Sequence, residues 1–278
     1  MIPLPKQAFL LALITVTGCA ASPPEPTAAD LQRLHEARFV LLGEVHDNAE
    51  QHRQRAALLS RLLADGRPTT VVFEQMERTQ DAALAEAPRD AEALATAGRL
   101  DRKAWQWPLH RPILEAAVAG NAELRGGNLP VAEVRAIVKD GLAAAPADLR
   151  PALATPAWTP AAEAELEQDI DQGHCHALPQ SMWARMALAQ RARDAAMADA
   201  MLQAQTPRVV LIAGNGHVRR DRGAAFYLRQ AGVADRDIIS VGYLEQDEPT
   251  GTEDTGFDIV HRTPAAERED PCAAFKTR

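Results

Sequence analysis

Two Gly-x-x-His tetrads mark places where this chain could do chemistry: Gly43-Glu44-Val45-His46 and Gly214-Asn215-Gly216-His217. Each directly follows a short apolar run, and a third such run ends in Glu74. Two imidazoles and a carboxylate match a metal site with open positions, made of His46, Glu74 and His217. Glu44 would then act as general base on a bound water. Without a metal the same four groups form an acid/base set. They could equally hold the polar edge of a large ligand. The plain alternative is that each side chain satisfies backbone groups at a strand end. For three ends all carrying His or Glu that reading is the weaker one, because buried charges are costly unless paired or used.

Further residues surround this set. Residues 180–203 read as a helix in which Met182, Met186, Ala189, Met197 and Met201 share an apolar stripe, and Arg193 falls on the stripe. An Arg facing inward seeks a carboxylate, here Glu44, Glu74 or an acidic ligand group; the alternative is an Arg that snorkels to solvent. Asp194, one step round, is either its local partner or plain surface. His52 shares a helix face with Ala56, Leu59 and Leu63, which makes it a core histidine ahead of a support for the site. Trp105, Trp107, His110 and Trp183 are candidates for an apolar pocket wall, with core packing as the default. His174-Cys175-His176 is a weak metal motif, because no second Cys or His stands at zinc-knuckle spacing. The Cys-x-x-Cys-His pattern of covalent haem attachment is absent.

The elements that must position these residues follow from periodicity. Residues 38–43, 69–74, 208–214, 237–243 and 257–261 are short and nearly continuously apolar, as strands covered on both faces are. Residues 122–126 are a sixth, weaker candidate. Helical spacing lies between them, beginning at a capping box of Asn48 and Gln51. The expected fold is α/β, a mostly parallel sheet flanked by helices, with a smaller helical subdomain inserted in the middle at about residues 77–120 and 140–180. In such a sheet the carboxyl ends of the strands line one crevice, so Glu44, His46, Glu74 and His217 are expected to converge there.

The ends of the chain carry other information. Residues 1–18 read as a lipoprotein signal peptide: Lys6, an apolar run too short to span a bilayer, then Val16-Thr17-Gly18-Cys19. Cys19 is the expected lipidation site, and more than one acyl chain there anchors a protein stably. Residues 19–29, with Pro23, Pro24 and Pro26, form a tether, and residues 30–278 the domain. Cys175 and Cys272 remain. In an oxidising compartment they read as a disulfide, against two free thiols far apart. With 30 basic and 38 acidic residues the chain has no basic footprint for general nucleic-acid binding.

Taken together, Leu41-Leu42-Gly43-Glu44-Val45-His46, Val71-Val72-Phe73-Glu74, residues 189–194 and Ile212-Ala213-Gly214-Asn215-Gly216-His217-Val218 resemble the ChaN-like haem-binding lipoproteins of the wider Tiki superfamily. The resemblance implies haem as ligand, a role in haem or iron uptake, a membrane-anchored position facing the periplasm at the outer membrane, and a homodimer. In that reading Glu44, His46, Glu74, Arg193 and His217 are ligand-binding, with Arg193 and the helix start after Asn48 as the anion spot. The paired Gly-x-x-His motifs with a Glu are also similar to those of Tiki metalloproteases and erythromycin-esterase-like hydrolases. That similarity implies a metal-dependent hydrolase with a divalent metal at His46, Glu74 and His217. Tyr227 and Tyr243, the two tyrosines of the chain, lie outside every motif.

Overall fold

A computed structural model of the chain describes residues 26–246, 254–270 and 272–273. The signal peptide, Cys19 and most of the tether lie outside the described residues. The elements run α1 (Ala28–Glu36), β1 (Phe39–Leu42), α2 (Ala49–Leu63), β2 (Thr69–Glu77), α3 (Asp81–Glu86), α4 (Ala91–Ala97) and α5 (Trp107–Ala119). There follow β3 (Glu123–Asn128), α6 (Val131–Asp140), α7 (Arg150–Leu153), α8 (Pro160–Gly173) and α9 (Trp183–Gln203). The chain then forms β4 (Arg208–Ile212), α10 (Asn215–Val218), α11 (Gly223–Gln230), β5 (Ile238–Glu245) and β6 (Ile259–Thr263). No helix among the described residues is long and apolar enough to cross a membrane.

The six strands form one all-parallel sheet in the order β3-β2-β4-β1-β5-β6. Alternation along each strand feeds two separate cores. Val40 and Leu42 of β1, with Val71 and Phe73 of β2, face the cluster built by α1 to α5. Phe39, Leu41 and Val72 face the opposite cluster, which holds residues of α6, α7, α9 and α11. Parallel strands need such crossovers, and the helices they supply cover both faces. All six expected strands are present, the weak one at 122–126 as β3.

The register brings the site together. Leu42 pairs with Ile212, and Ile212 with Phe73, so β1, β4 and β2 end level with one another. The next residues on those three adjacent strands are Gly43, Ala213 and Glu74. The β2–β3 pairing shifts register between Phe73 and Glu77, the kind of irregularity that re-aims a side chain. Asn48 does cap α2, accepting from the backbone N–H groups of Glu50 and Gln51. The reciprocal half of the expected capping box is absent. The Gln51 side chain instead accepts from the Val45 N–H at 2.6 Å, which pins the loop after β1.

Candidate functional site

Glu44 is the hub of the first cluster. Gly43 lets the chain leave β1 in close contact with the loop after β4: a Cβ there would stand 2.2 Å from Asn215 Oδ1. The next side chain, Glu44, is directed into the protein and its carboxylate has no exposed surface. A lone buried carboxylate would be prohibitively costly, and the sequence surrounds this one with donors. His46 Nδ1 lies 2.8 Å and His110 Nε2 3.2 Å from its Oε1, and Gln75 Nε2 lies at 3.4 Å. Arg55, fully buried on α2, forms an ion pair with it. His52 donates Nε2–H to the His46 carbonyl at 2.9 Å and accepts from Arg55 at Nδ1. Burial, then the charge of His110, lowers the His52 pKa to about 4; burial, then Arg55, lowers that of His110 to about 3. Both rings are neutral donors, and the cation that balances Glu44 is Arg55.

A second cluster lies on β2, α9 and the turn after β4. Glu74 Oε2 accepts from the Gly214 N–H at 2.7 Å, and its Oε1 accepts from Arg193 at 2.5 Å. His217 places Nε2 3.2 Å from Glu74 and Nδ1 2.5 Å from Asp194. Asp194, His217, Glu74 and Arg193 thus form an unbroken chain of alternating charge with no formal net charge. Burial opposes protonation of His217, but Glu74 and Asp194 outweigh it and raise the imidazole to about 9. Burial likewise works to raise Glu74, and the charges of His217 and Arg193 hold it well below the usual carboxylate range. Asn128 fastens the chain by accepting from Arg193 Nε at 3.1 Å and donating to the Glu74 carbonyl at 3.0 Å.

His46 joins the two clusters. Its side chain is 49% exposed, its ring packs edge-on to Trp105 with centroids 4.8 Å apart, and burial lowers its pKa. Its Cε1 and Nε2 lie 2.8 and 3.0 Å from where a Cβ of Gly214 would stand. Among the described residues, the ligand atoms of Glu44, His46 and His110 lie within 4.8 Å of one another. This set differs from the expected His46, Glu74 and His217. Its fit to a divalent ion is poor as arranged: both imidazoles already direct a ring nitrogen at Glu44, and Arg55 already supplies the counter-charge.

Outside these clusters opens a cleft of about 1640 Å³. The strand ends form its polar floor, with Glu44, His46, Glu74, Gly214 and His217 all reaching it. Three helices present one face each. From α6 come Val131, Val134, Arg135, Val138 and Lys139, spaced as one helical stripe. From α8 come Leu166, Ile170 and Gly173, followed by His174 just past its end, and Met182, Arg185 and Met186 come from the start of α9 and the turn before it. The volume exceeds the usual range for small-molecule pockets. Among the described residues no carboxylate pairs with Arg135, Lys139 or Arg185, and Arg185 donates to the Lys139 carbonyl at 2.9 Å. Most arginines elsewhere are paired, so the three unpaired cations mark the cleft as receptive to anions.

Several expectations require correction in detail. Asp194 is 3% exposed and bonded to His217, so it is neither surface nor a partner of Arg193 alone. Trp105 lines the cleft, whereas Trp107 packs in the core with Nε1–H on Glu92. Trp183 bonds the Leu178 carbonyl. His110 is no pocket wall; it is fully buried against Glu44. The methionine stripe divides: Met182 and Met186 reach the cleft, Met197 and Met201 fill the core. The α2 start after Asn48 borders a separate hollow with Arg53 and Arg262, so the free cations of the main cleft are those of α6 and α9. Cys175 and Cys272 are joined by a disulfide.

A parallel sheet covered on both faces, with polar strand ends under an apolar helical cleft, defines an α/β ligand-binding protein. The chain belongs to the family described as "Haem-binding uptake, Tiki superfamily, ChaN", matched over residues 31–228. Among solved structures it is similar to ChaN of Campylobacter jejuni, described for cofacial haem binding, at 19% identity and a TM-score of 0.66, over 83% of this chain and 89% of that one. A mutant of the erythromycin esterase EreC matches at 18% identity and a TM-score of 0.43, over 88% of this chain and 81% of that one. The type III effector HopBA1 matches at 12% identity and 0.48, over 88% and 97%. A comparison with curated proteins finds no match.

Proposed function

We propose that this chain carries haem in the cleft between α6, α8 and α9, as a lipoprotein anchored through Cys19 at the outer membrane and facing the periplasm, in haem or iron uptake. The observation that carries the reading is the cleft itself. Haem is a broad apolar plate with two carboxylates and one iron, and binding it calls for apolar walls, cations and an axial donor. Val131, Val134, Val138, Leu166 and Ile170 supply walls, Arg135, Lys139 and Arg185 supply cations, and His46, His174, Met182 and Met186 supply donor types. The residues present therefore fit the group. Membership in a haem-binding family supports the same reading.

The test is titration of the purified mature chain with haemin. A saturable Soret band is expected, and its absence overturns the reading. Cys19→Ala is expected to move the protein from the membrane to the soluble fraction.

A second reading, a metal-dependent hydrolase, draws on the closeness of Glu44, His46 and His110. Elemental analysis of haem-free protein tests it. Stoichiometric transition metal, lost in His46→Ala and His110→Ala together with turnover of ester or peptide substrates, would place this reading first.

A further inference from the structure

We infer that the Cys175–Cys272 disulfide is a redox-sensitive strap that holds α8 in place as a wall of the cleft, so that reduction by a dithiol opens the cleft. The inference goes beyond the haem-carrying reading and does not depend on what occupies the cleft. Leu166, Asp169, Ile170 and Gly173 bring α8 to the cleft, and His174 follows just past its end. For a wall, α8 is weakly packed. Of its 14 residues Leu166 alone is buried, whereas α9 buries 11 of its 21. Ion pairs attach it as well, Glu163 to Arg191 and both Glu165 and Asp169 to Arg222. Each of these carboxylates is partly exposed, and such pairs contribute little to stability. A helix with so few buried apolar residues opens locally at small cost unless something else ties it down.

The disulfide ties it to a firmly anchored tail. Arg268 donates to both carboxylate oxygens of Asp47, at 2.8 Å each, and to both of Glu245, at 2.8 and 2.6 Å. Asp47 directly follows His46, and Glu245 directly follows Leu244, two residues that line the cleft. Asn48 adds a bond to the Pro264 carbonyl at 2.9 Å, and the Ala266 N–H one to Glu245 at 2.8 Å. Four residues beyond Arg268, Cys272 is bonded to Cys175. The tail thus joins the strand ends of the floor to the end of the α8 wall. Cys175 and His176 both have left-handed backbone, with φ of +59° and +56°, which residues with a side chain keep only where their surroundings hold them. The cross-link is part of that hold. Neither cysteine is buried, and exposed disulfides are the ones that exchange readily with thiols. In the exchange a reductant thiolate bonds to one protein sulfur and the S–S bond breaks. The second thiolate of the reductant then displaces that sulfur. The reductant leaves as its own disulfide, having given two electrons, and the two cysteine sulfurs take up two protons.

The experiment follows amide hydrogen–deuterium exchange in oxidised wild type, wild type reduced with dithiothreitol, the double variant Cys175→Ser with Cys272→Ser, and Arg268→Ala with its disulfide intact. On reduction the α8 amides are expected to exchange roughly ten-fold faster or more, while those of β1 and β4 change by less than about two-fold. The double variant is expected to match the reduced protein. Reoxidation of the reduced wild type restores slow exchange, which separates opening from misfolding. Arg268→Ala speeds α8 exchange in part, because the strap has lost its clamp on Asp47 and Glu245. Exchange in α8 that reduction leaves unchanged, or that rises equally in the sheet, overturns the strap. An Arg268→Ala variant with α8 as slow as in wild type shows that the cross-link does not act through the tail, and overturns it too. In a second arm, haemin release to a haem-free acceptor protein is expected to be roughly ten-fold faster from the double variant. Equal release from both proteins overturns the gating of the cleft. A wild type that shows no Soret band overturns the haem reading alone, and the exchange measurement still decides the strap.

Discussion

Glu44 is an anion without exposed surface, and the residues around it are arranged by that fact. Its charge is met by Arg55, itself fully buried, while the neutral rings of His52 and His110 complete the enclosure. Removing one partner of a buried ion pair leaves the other uncompensated, which typically costs about 3–5 kcal/mol. Arg55→Met is therefore expected to lose that much stability in urea unfolding, and Glu44→Gln with Arg55→Met to recover a large part of it. A loss under about 1 kcal/mol in the single variant would show that the pair is not what holds the floor. At this scale the sequence was half legible. Inward-facing Arg193 pointed to a carboxylate, and it meets Glu74. Arg55 carried a readable signal too, since it lies three residues from His52 and four from Leu59 on the buried side of α2. The sequence marked His110 only as a candidate pocket wall; its place against Glu44 was not legible, because that contact joins residues 66 apart.

The strands were legible because both faces are covered, which makes each a continuous apolar run. The walls of the cleft were not. In α6, Val131, Val134 and Val138 read as the core face of any amphipathic helix, and only the tertiary arrangement opens part of that face to a cleft. Val131 is 59% exposed, an unusual state for a valine on that stripe. Burying apolar surface against a ligand would explain its retention there. Val131→Glu is expected to change stability by no more than about 0.5 kcal/mol, as exposed positions generally do, while weakening haemin binding several-fold. Equal affinity in the variant, read from the Soret titration, would remove α6 from the binding wall.

For the molecule as a whole, the buried histidines pull stability in opposite directions with pH. His217 is raised to about 9 by Glu74 and Asp194 against its burial. The folded state thus holds a proton that the unfolded chain, near 6.5, gives up. Its contribution is complete below about pH 6.5 and is lost as pH rises through about 9. His52 and His110 are lowered to about 4 and about 3, chiefly by burial. Their contributions are complete above about pH 6.5 and are lost as pH falls toward those values. A tenfold difference in proton affinity between the folded and unfolded chain corresponds to about 1.4 kcal/mol, so each histidine contributes a few kcal/mol at most. Stability should therefore peak a little below neutrality, with lower urea midpoints at pH 5 and pH 9 than at pH 6.5. His217→Gln should flatten the alkaline arm and leave the acid arm in place, because its two carboxylate partners are on the other cluster from His52 and His110. A midpoint that keeps rising from pH 5 to pH 9 would mean that the charge chain from Asp194 to Arg193 does not hold its proton in the folded protein.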